Sequence, residues 1–134
     1  MAGEAPSATE TILIVEDNDA NLRLLTAFLT AHGYAIRGAV DGPQATEYLA
    51  HERPNLVLMD IQLPDVSGIE ILRWLRADPR LASVPVIAIT AFAMRGDRER
   101  LLNEGFDDYV PKPTSLMVLL DVVRRRIASI DHAE

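Results

Sequence analysis

The chain has 134 residues, 49% of them apolar and 25% charged, with a formal net charge of −7 and no cysteine. That size suits one domain with a substantial core, and the missing cysteines exclude disulfides, a thiol nucleophile and a Cys-based zinc site. The acidic balance argues against general nucleic-acid binding, which needs a basic surface to neutralise phosphates, and no apolar run approaches the ~20 residues of a membrane span.

Residues 1–10, MAGEAPSATE, lack the apolar core of a signal peptide or anchor, and they read as a flexible tail on a cytoplasmic protein. Ile12 to Val15 form a first strand that runs into Glu16-Asp17. From Asn18 to His32, Leu22, Leu25 and Leu29 recur at helical spacing, with Gly33 as the C-terminal cap. Tyr34 to Ala39 read as a shorter strand at a sheet edge, because Arg37 interrupts it. Gly42-Pro43 opens a helix to about His51, with Pro at the first helical position, where its missing N–H costs nothing.

Leu56 to Met59 are apolar without alternation, as in a strand buried on both faces, and they deliver Asp60 at its end. A loop from Ile61 to Val66, containing Pro64, leads to Ser67-Gly-Ile-Glu70. That tetrapeptide has capping-box spacing and starts a helix through Trp74 to about Ala77, stopped by Asp78-Pro79. Pro85 to Ile89 form a fourth strand that runs into Thr90, and Ala91-Phe92-Ala93-Met94 leads to a short charged helix ending at Glu104-Gly105. A fifth strand, Asp108 to Val110, runs into Pro111-Lys112-Pro113. In the last helix Leu116, Leu119, Leu120, Val123, Ile127 and Ile130 make one apolar stripe, with Arg124 to Arg126 largely beside it.

Five β-α units with short connections and right-handed crossovers predict a parallel five-stranded sheet with helices on both faces. The expected fold is a three-layer α/β sandwich with strand order 2-1-3-4-5, spanning residues 11–130 between tails at 1–10 and 131–134. Parallel strands put their carboxyl ends at one edge, where open α/β folds bind ligands. Glu16, Asp17, Asp60, Thr90 and Lys112 therefore converge. Lys112 is the sole lysine beside twelve arginines, which makes its place at that edge notable.

At ~4 Å separation in an effective dielectric of ~20, like charges repel by ~4 kcal/mol per pair. Three clustered carboxylates must protonate, spread apart or hold a cation, and an oxygen-only donor set suits Mg²⁺. A carboxylate attacking phosphorus needs cations and donors on the equatorial oxygens, which Mg²⁺, the Lys112 ammonium and the Thr90 hydroxyl would supply.

These residues resemble the receiver domain of two-component response regulators, over residues 11 to about 130. The likeness lies in Glu16-Asp17, Asp60 in LMDIQLP, Thr90 followed by the small Ala91, and Lys112-Pro113. IVEDN, LMDIQLPDVSG and ITAFAMRGD are most similar to the stand-alone receivers of the DivK type, with the CheY-like, flavodoxin-like fold. The resemblance implies that Asp60 accepts phosphate from a phosphohistidine on a histidine kinase or phosphotransfer protein. Such a receiver catalyses its own aspartyl phosphorylation and slow dephosphorylation rather than acting as a conventional enzyme.

It also implies Mg²⁺ held by Asp17, Asp60 and the backbone carbonyl of Gln62, with Glu16 acting largely through water. Glu16 stands where many relatives carry Asp, which puts direct ligation by it in doubt. The Gln62 side chain is placed to orient or block the hydrolytic water. Lys112-Pro113 is expected to be cis. Thr90 moving toward the phosphoryl group would let Tyr109 turn inward, changing the surface of the charged fourth helix, fifth strand and last helix for an unidentified partner. Arg95, Arg98 and Arg124 to Arg126 could face Asp107 and Asp108 of a second copy in a homodimer.

Three other readings remain. A pseudo-receiver binding module keeps the fold but loses the acids or the lysine, all present here. A dehalogenase-like phosphatase needs an acid two residues after its nucleophile, where Gln62 stands. A flavodoxin-like nucleotide carrier needs a phosphate loop after the first strand, and none follows Val15. The chain is expected to be an independent protein rather than the excised receiver of a hybrid kinase.

Overall fold

Five strands alternate with five helices: β1 (Thr11–Val15), α1 (Asp19–Ala31), β2 (Ala35–Ala39), α2 (Gly42–His51), β3 (Leu56–Asp60), α3 (Gly68–Ala77), β4 (Val86–Thr90), α4 (Asp97–Glu104), β5 (Asp108–Pro111) and α5 (Leu116–His132). The computed structural model describes residues 9–63, 66–91, 96–112 and 115–132, with side chains through residue 128. Residues 1–8, Pro64, Phe92 to Met94, Arg95, Pro113 with its peptide geometry, and the Ile130 side chain lie outside the described residues.

All strand pairings are parallel, in the order β2-β1-β3-β4-β5, as the β-α alternation predicts. The three central strands are apolar without interruption because both of their faces are covered. Odd-numbered Leu13, Val15, Val57 and Met59 feed one core with Ala45, Leu49, Leu72, Leu75 and Leu101 of α2, α3 and α4. Even-numbered Ile12, Ile14, Leu56 and Leu58 feed the other with Leu25, Leu29, Leu119 and Val123 of α1 and α5. Each fully buried Leu or Ile contributes roughly 1.5–3 kcal/mol. β2 is an edge strand, so the exposed Arg37 is accommodated without burial.

Local signals set the helix ends. The Asn18 side chain accepts the Asn21 N–H at 2.9 Å, and Asp41 accepts that of Gln44 at 2.9 Å. After α1, Gly33 takes φ +97°, a conformation that favours glycine, and its N–H reaches the Thr30 carbonyl at 3.0 Å. The capping box is only half formed. Ser67 Oγ accepts the Ile69 N–H at 3.1 Å, while the Glu70 N–H turns to the Ser67 carbonyl at 3.0 Å. In α5 the buried stripe is wider than periodicity suggests, because Val122 is buried beside Val123.

Candidate functional site

Asp60 is the last residue of β3 and is 4% exposed. Its Oδ1 accepts the Gln62 N–H at 2.9 Å, and its Oδ2 accepts from Lys112 Nζ at 3.0 Å. Glu16 follows β1, buried, with its N–H on the Ala39 carbonyl at 2.9 Å. Its Oε1 accepts from Lys112 Nζ at 3.0 Å and its Oε2 accepts the Asn18 N–H at 3.1 Å. The only lysine thus sits midway between the two buried carboxylates, and both carboxylates are oriented by backbone amides as well.

The sheet aims that lysine. The Lys112 N–H donates to the Thr90 carbonyl at 2.7 Å, continuing the β4–β5 ladder past the Thr90–Pro111 pair. Thr90 is buried one position beyond Ile89, which is in register with Asp60. Asp17 is exposed at the mouth. One carboxylate oxygen from each of Glu16, Asp17 and Asp60 lies within 4.8 Å of the others. The Gln62 side chain is exposed, and its backbone N–H, rather than its carbonyl, is what the structure ties to Asp60.

Burial raises the Glu16 pKa from its ordinary value, although the Lys112 and Asn18 hydrogen bonds pull the other way. For Lys112 burial alone would lower the pKa, but the hydrogen bonds and charges of Asp60 and Glu16 outweigh it, and the net shift is upward. Three carboxylates against one ammonium leave excess negative charge on all-oxygen donors, one of them solvent-facing. That set fits a small hard divalent cation. A cavity of about 420 Å³ adjoins the Glu16–Lys112 pair, lined by Asn21, Leu24 and Leu25 of α1 with Ile89, Ala91 and Leu116.

Tyr109 is half-buried and packs on the α2–α3–α4 side of the sheet, with its N–H on Asp108 Oδ1 at 2.8 Å. Asp107 and Asp108 are engaged inside the chain. Asp107 Oδ2 accepts from Arg76 Nη2 at 2.7 Å, and buried Asp108 Oδ2 accepts from Arg126 Nη2 at 3.1 Å. Intrachain arginines therefore hold the acids that the dimer expectation offered to a second copy. Sequence reasoning missed Arg76, whose guanidinium also reaches the carbonyls of Ala82, Val84 and Gly105. An arginine in the last turn of an amphipathic helix carries no signal of such partners.

The response regulator receiver domain family matches residues 12–124. The polar-differentiation response regulator DivK of Brucella anthropi is 42% identical over 115 residues, covering 86% of this chain and 94% of that protein. Among solved structures, the receiver domain of a sensor histidine kinase from Pseudomonas aeruginosa, with magnesium coordinated in its active-site cleft, superposes with a TM-score of 0.83. It is 38% identical and covers 90% of this chain and 99% of that one. A CheY-like receiver from Methanospirillum hungatei superposes at 0.87 with 28% identity, over 95% of this chain and 100% of that one. With its (βα)5 sheet in the expected order and its acids and lysine at one edge, the chain belongs to the response regulator receiver domain family of two-component systems.

Proposed function

We propose that Asp60 is the phosphoacceptor of a DivK-like phosphorelay receiver, taking its phosphoryl group from a phosphohistidine of a histidine kinase or phosphotransfer protein. The observation that carries this reading is the Lys112 ammonium 3.0 Å from Asp60 Oδ2 at the mouth of the sheet. A carboxylate oxygen of Asp60 forms the new P–O bond as the donor P–N bond breaks, the bonding pair leaving on the imidazole nitrogen. The Gln62 N–H keeps the carboxylate from rotating, so the nucleophile is presented in one orientation. Lys112 meets one phosphoryl oxygen and the Thr90 hydroxyl another, offsetting charge as it spreads in the transition state.

Asp17, Asp60 and the Gln62 carbonyl would hold Mg²⁺, with Glu16 acting through water. Glu16 suits that outer role because it is buried against Lys112 and the Asn18 N–H, whereas Asp17 stands exposed at the mouth. When bound, the ion supplies two positive charges for the phosphoryl oxygens. The cavity beside exposed Leu24 offers the donor's helix an apolar seat next to Lys112. Thr90 and Tyr109 then relay the new charge to the α4–β5–α5 face, where a downstream protein binds. None of the helices among the described residues is long and apolar enough to cross a membrane.

Intact mass after incubation with Mg²⁺ and acetyl phosphate tests the assignment. One phosphate adduct is expected on the unmodified chain, lost with EDTA and absent from Asp60→Asn. An adduct of equal yield on Asp60→Asn would overturn it. The pseudo-receiver reading predicts no adduct from either donor, small molecule or phosphohistidine.

A further inference from the structure

α4 buries little of itself against the body of the fold. Of its eight residues only Leu101 is buried, and Gly96 at its N-cap offers no side-chain hydrogen bond. Among the described residues, Arg76 also donates to the Gly105 carbonyl at its C-cap, and two ion pairs tie it to its neighbours. Arg73 Nη2 of α3 lies 2.8 Å from Glu104 Oε1 in the last turn of α4. In the first turn, Arg98 Nη1 lies 3.7 Å from Asp108 Oδ1 of β5.

Asp108 is not free to follow α4. It is buried, and Arg126 Nε and Nη2 of α5 hold its other oxygen at 3.3 and 3.1 Å. The Tyr109 N–H holds Oδ1 at 2.8 Å. One carboxylate therefore joins α5 firmly and α4 loosely, at the residue next to the proposed switch aromatic.

We propose that Arg73–Glu104 and Arg98–Asp108 are two ionic clasps that hold α4 against α3 and β5, and that their release is the step by which phosphorylation opens the α4–β5–α5 face. This rests on the assignment of Asp60 as phosphoacceptor and Tyr109 as switch. The arginines are 64% and 62% exposed at their side chains, so each clasp is weak and screened by salt. Weakness is what a switch needs. A new charge at Asp60 then works against exposed ion pairs rather than against a whole packed face. Tyr109 and Asp108 are adjacent in β5, so a shift of Tyr109 bears on an Arg98 contact that is already long at 3.7 Å.

Amide hydrogen exchange of the full chain tests this, comparing the unmodified protein, Arg98→Gln, Arg73→Gln and the double variant. Without phosphodonor, α4 amides should exchange about threefold faster in each single variant and about tenfold faster in the double variant, while α1 and α2 stay unchanged. Salt at about 1 M on the unmodified chain should reproduce the effect without any substitution. Acetyl phosphate with Mg²⁺ should speed α4 exchange in the unmodified chain and add little in the double variant.

Equal α4 exchange in all four proteins at low salt would show that the clasps do not hold the helix. An equal phosphorylation-induced rise in the unmodified and double-variant chains would show that the clasps are not what phosphorylation releases. Absence of an adduct on the unmodified chain, from acetyl phosphate and from a phosphohistidine donor alike, would instead overturn the phosphoacceptor assignment and the coupling with it, and the comparison without donor would still decide the clasps.

Discussion

Lys112 stands 3.0 Å from two carboxylates that are almost fully enclosed, and its own side chain is 23% exposed. Replacing it with Met leaves Glu16 and Asp60 facing each other with no cation, the costly way to break a buried pair. The metal-free Lys112→Met chain should lose about 3 kcal/mol in urea unfolding, with part of the loss restored by Mg²⁺. Equal midpoints with EDTA for variant and parent would mean that the lysine is not a structural counter-ion.

The pH dependence has a definite sign. The folded pKa of Lys112 is raised, so its contribution is full below the ordinary 10.5 and is lost as pH rises through the folded value. The folded pKa of Glu16 is raised too, so its contribution is present below the ordinary 4.5 and is lost as pH climbs through the folded value. In EDTA, the stability of Glu16→Gln relative to the parent should therefore rise between pH 4.5 and 7. A flat or falling difference would show that burial does not dominate at Glu16.

At the scale of elements, α3 begins where β3 has just ended, and Gly68 lets them touch. A Cβ at Gly68 would lie 2.7 Å from the Asp60 carbonyl oxygen and 3.1 Å from Ile61 Cα. Neither backbone atom can step aside without moving Asp60. Gly68→Ala should cost about 1–3 kcal/mol and slow adduct formation at Asp60, both measurable on one preparation by urea unfolding and timed intact mass. Parental values for both would mean that the β3–α3 turn yields freely.

The elements were legible because burial on both faces forces unbroken apolar runs such as Leu56 to Met59. The site was legible for a related reason: parallel topology turns residues after each run, Glu16, Asp60, Thr90 and Lys112, into neighbours. Side-chain partnerships were not. Asp108 read as a surface acid for a second copy, yet it is buried under Arg126. Long arginine side chains choose partners by three-dimensional reach, and Arg76 meets Asp107 from 31 positions away.

Across the whole molecule the two edges of the sheet carry opposite electrostatic designs. At the carboxyl edge two acids share one ammonium and a third carboxylate stands beside them, so the edge holds unrelieved repulsion. At the other edge arginines tie loops together through backbone carbonyls: Arg53 to that of Arg80, Arg80 to those of Leu49 and Glu52, and Arg76 to three more. One edge holds the charges that the chemistry needs, and the other supplies the tertiary hold that tolerates them.

Substitutions at the two edges should then separate stability from phosphorylation. Arg76→Ala removes the charged donor from the Val84 and Gly105 carbonyls and from Asp107, and should cost about 3 kcal/mol. It should still take up one phosphate. Asp60→Asn removes one of three clustered negative charges, and in EDTA it should be as stable as the parent or more stable by about 1 kcal/mol, while taking up none. Urea midpoints and intact mass on the same preparations decide it. A destabilised Asp60→Asn beside a neutral Arg76→Ala would reverse the roles assigned to the two edges.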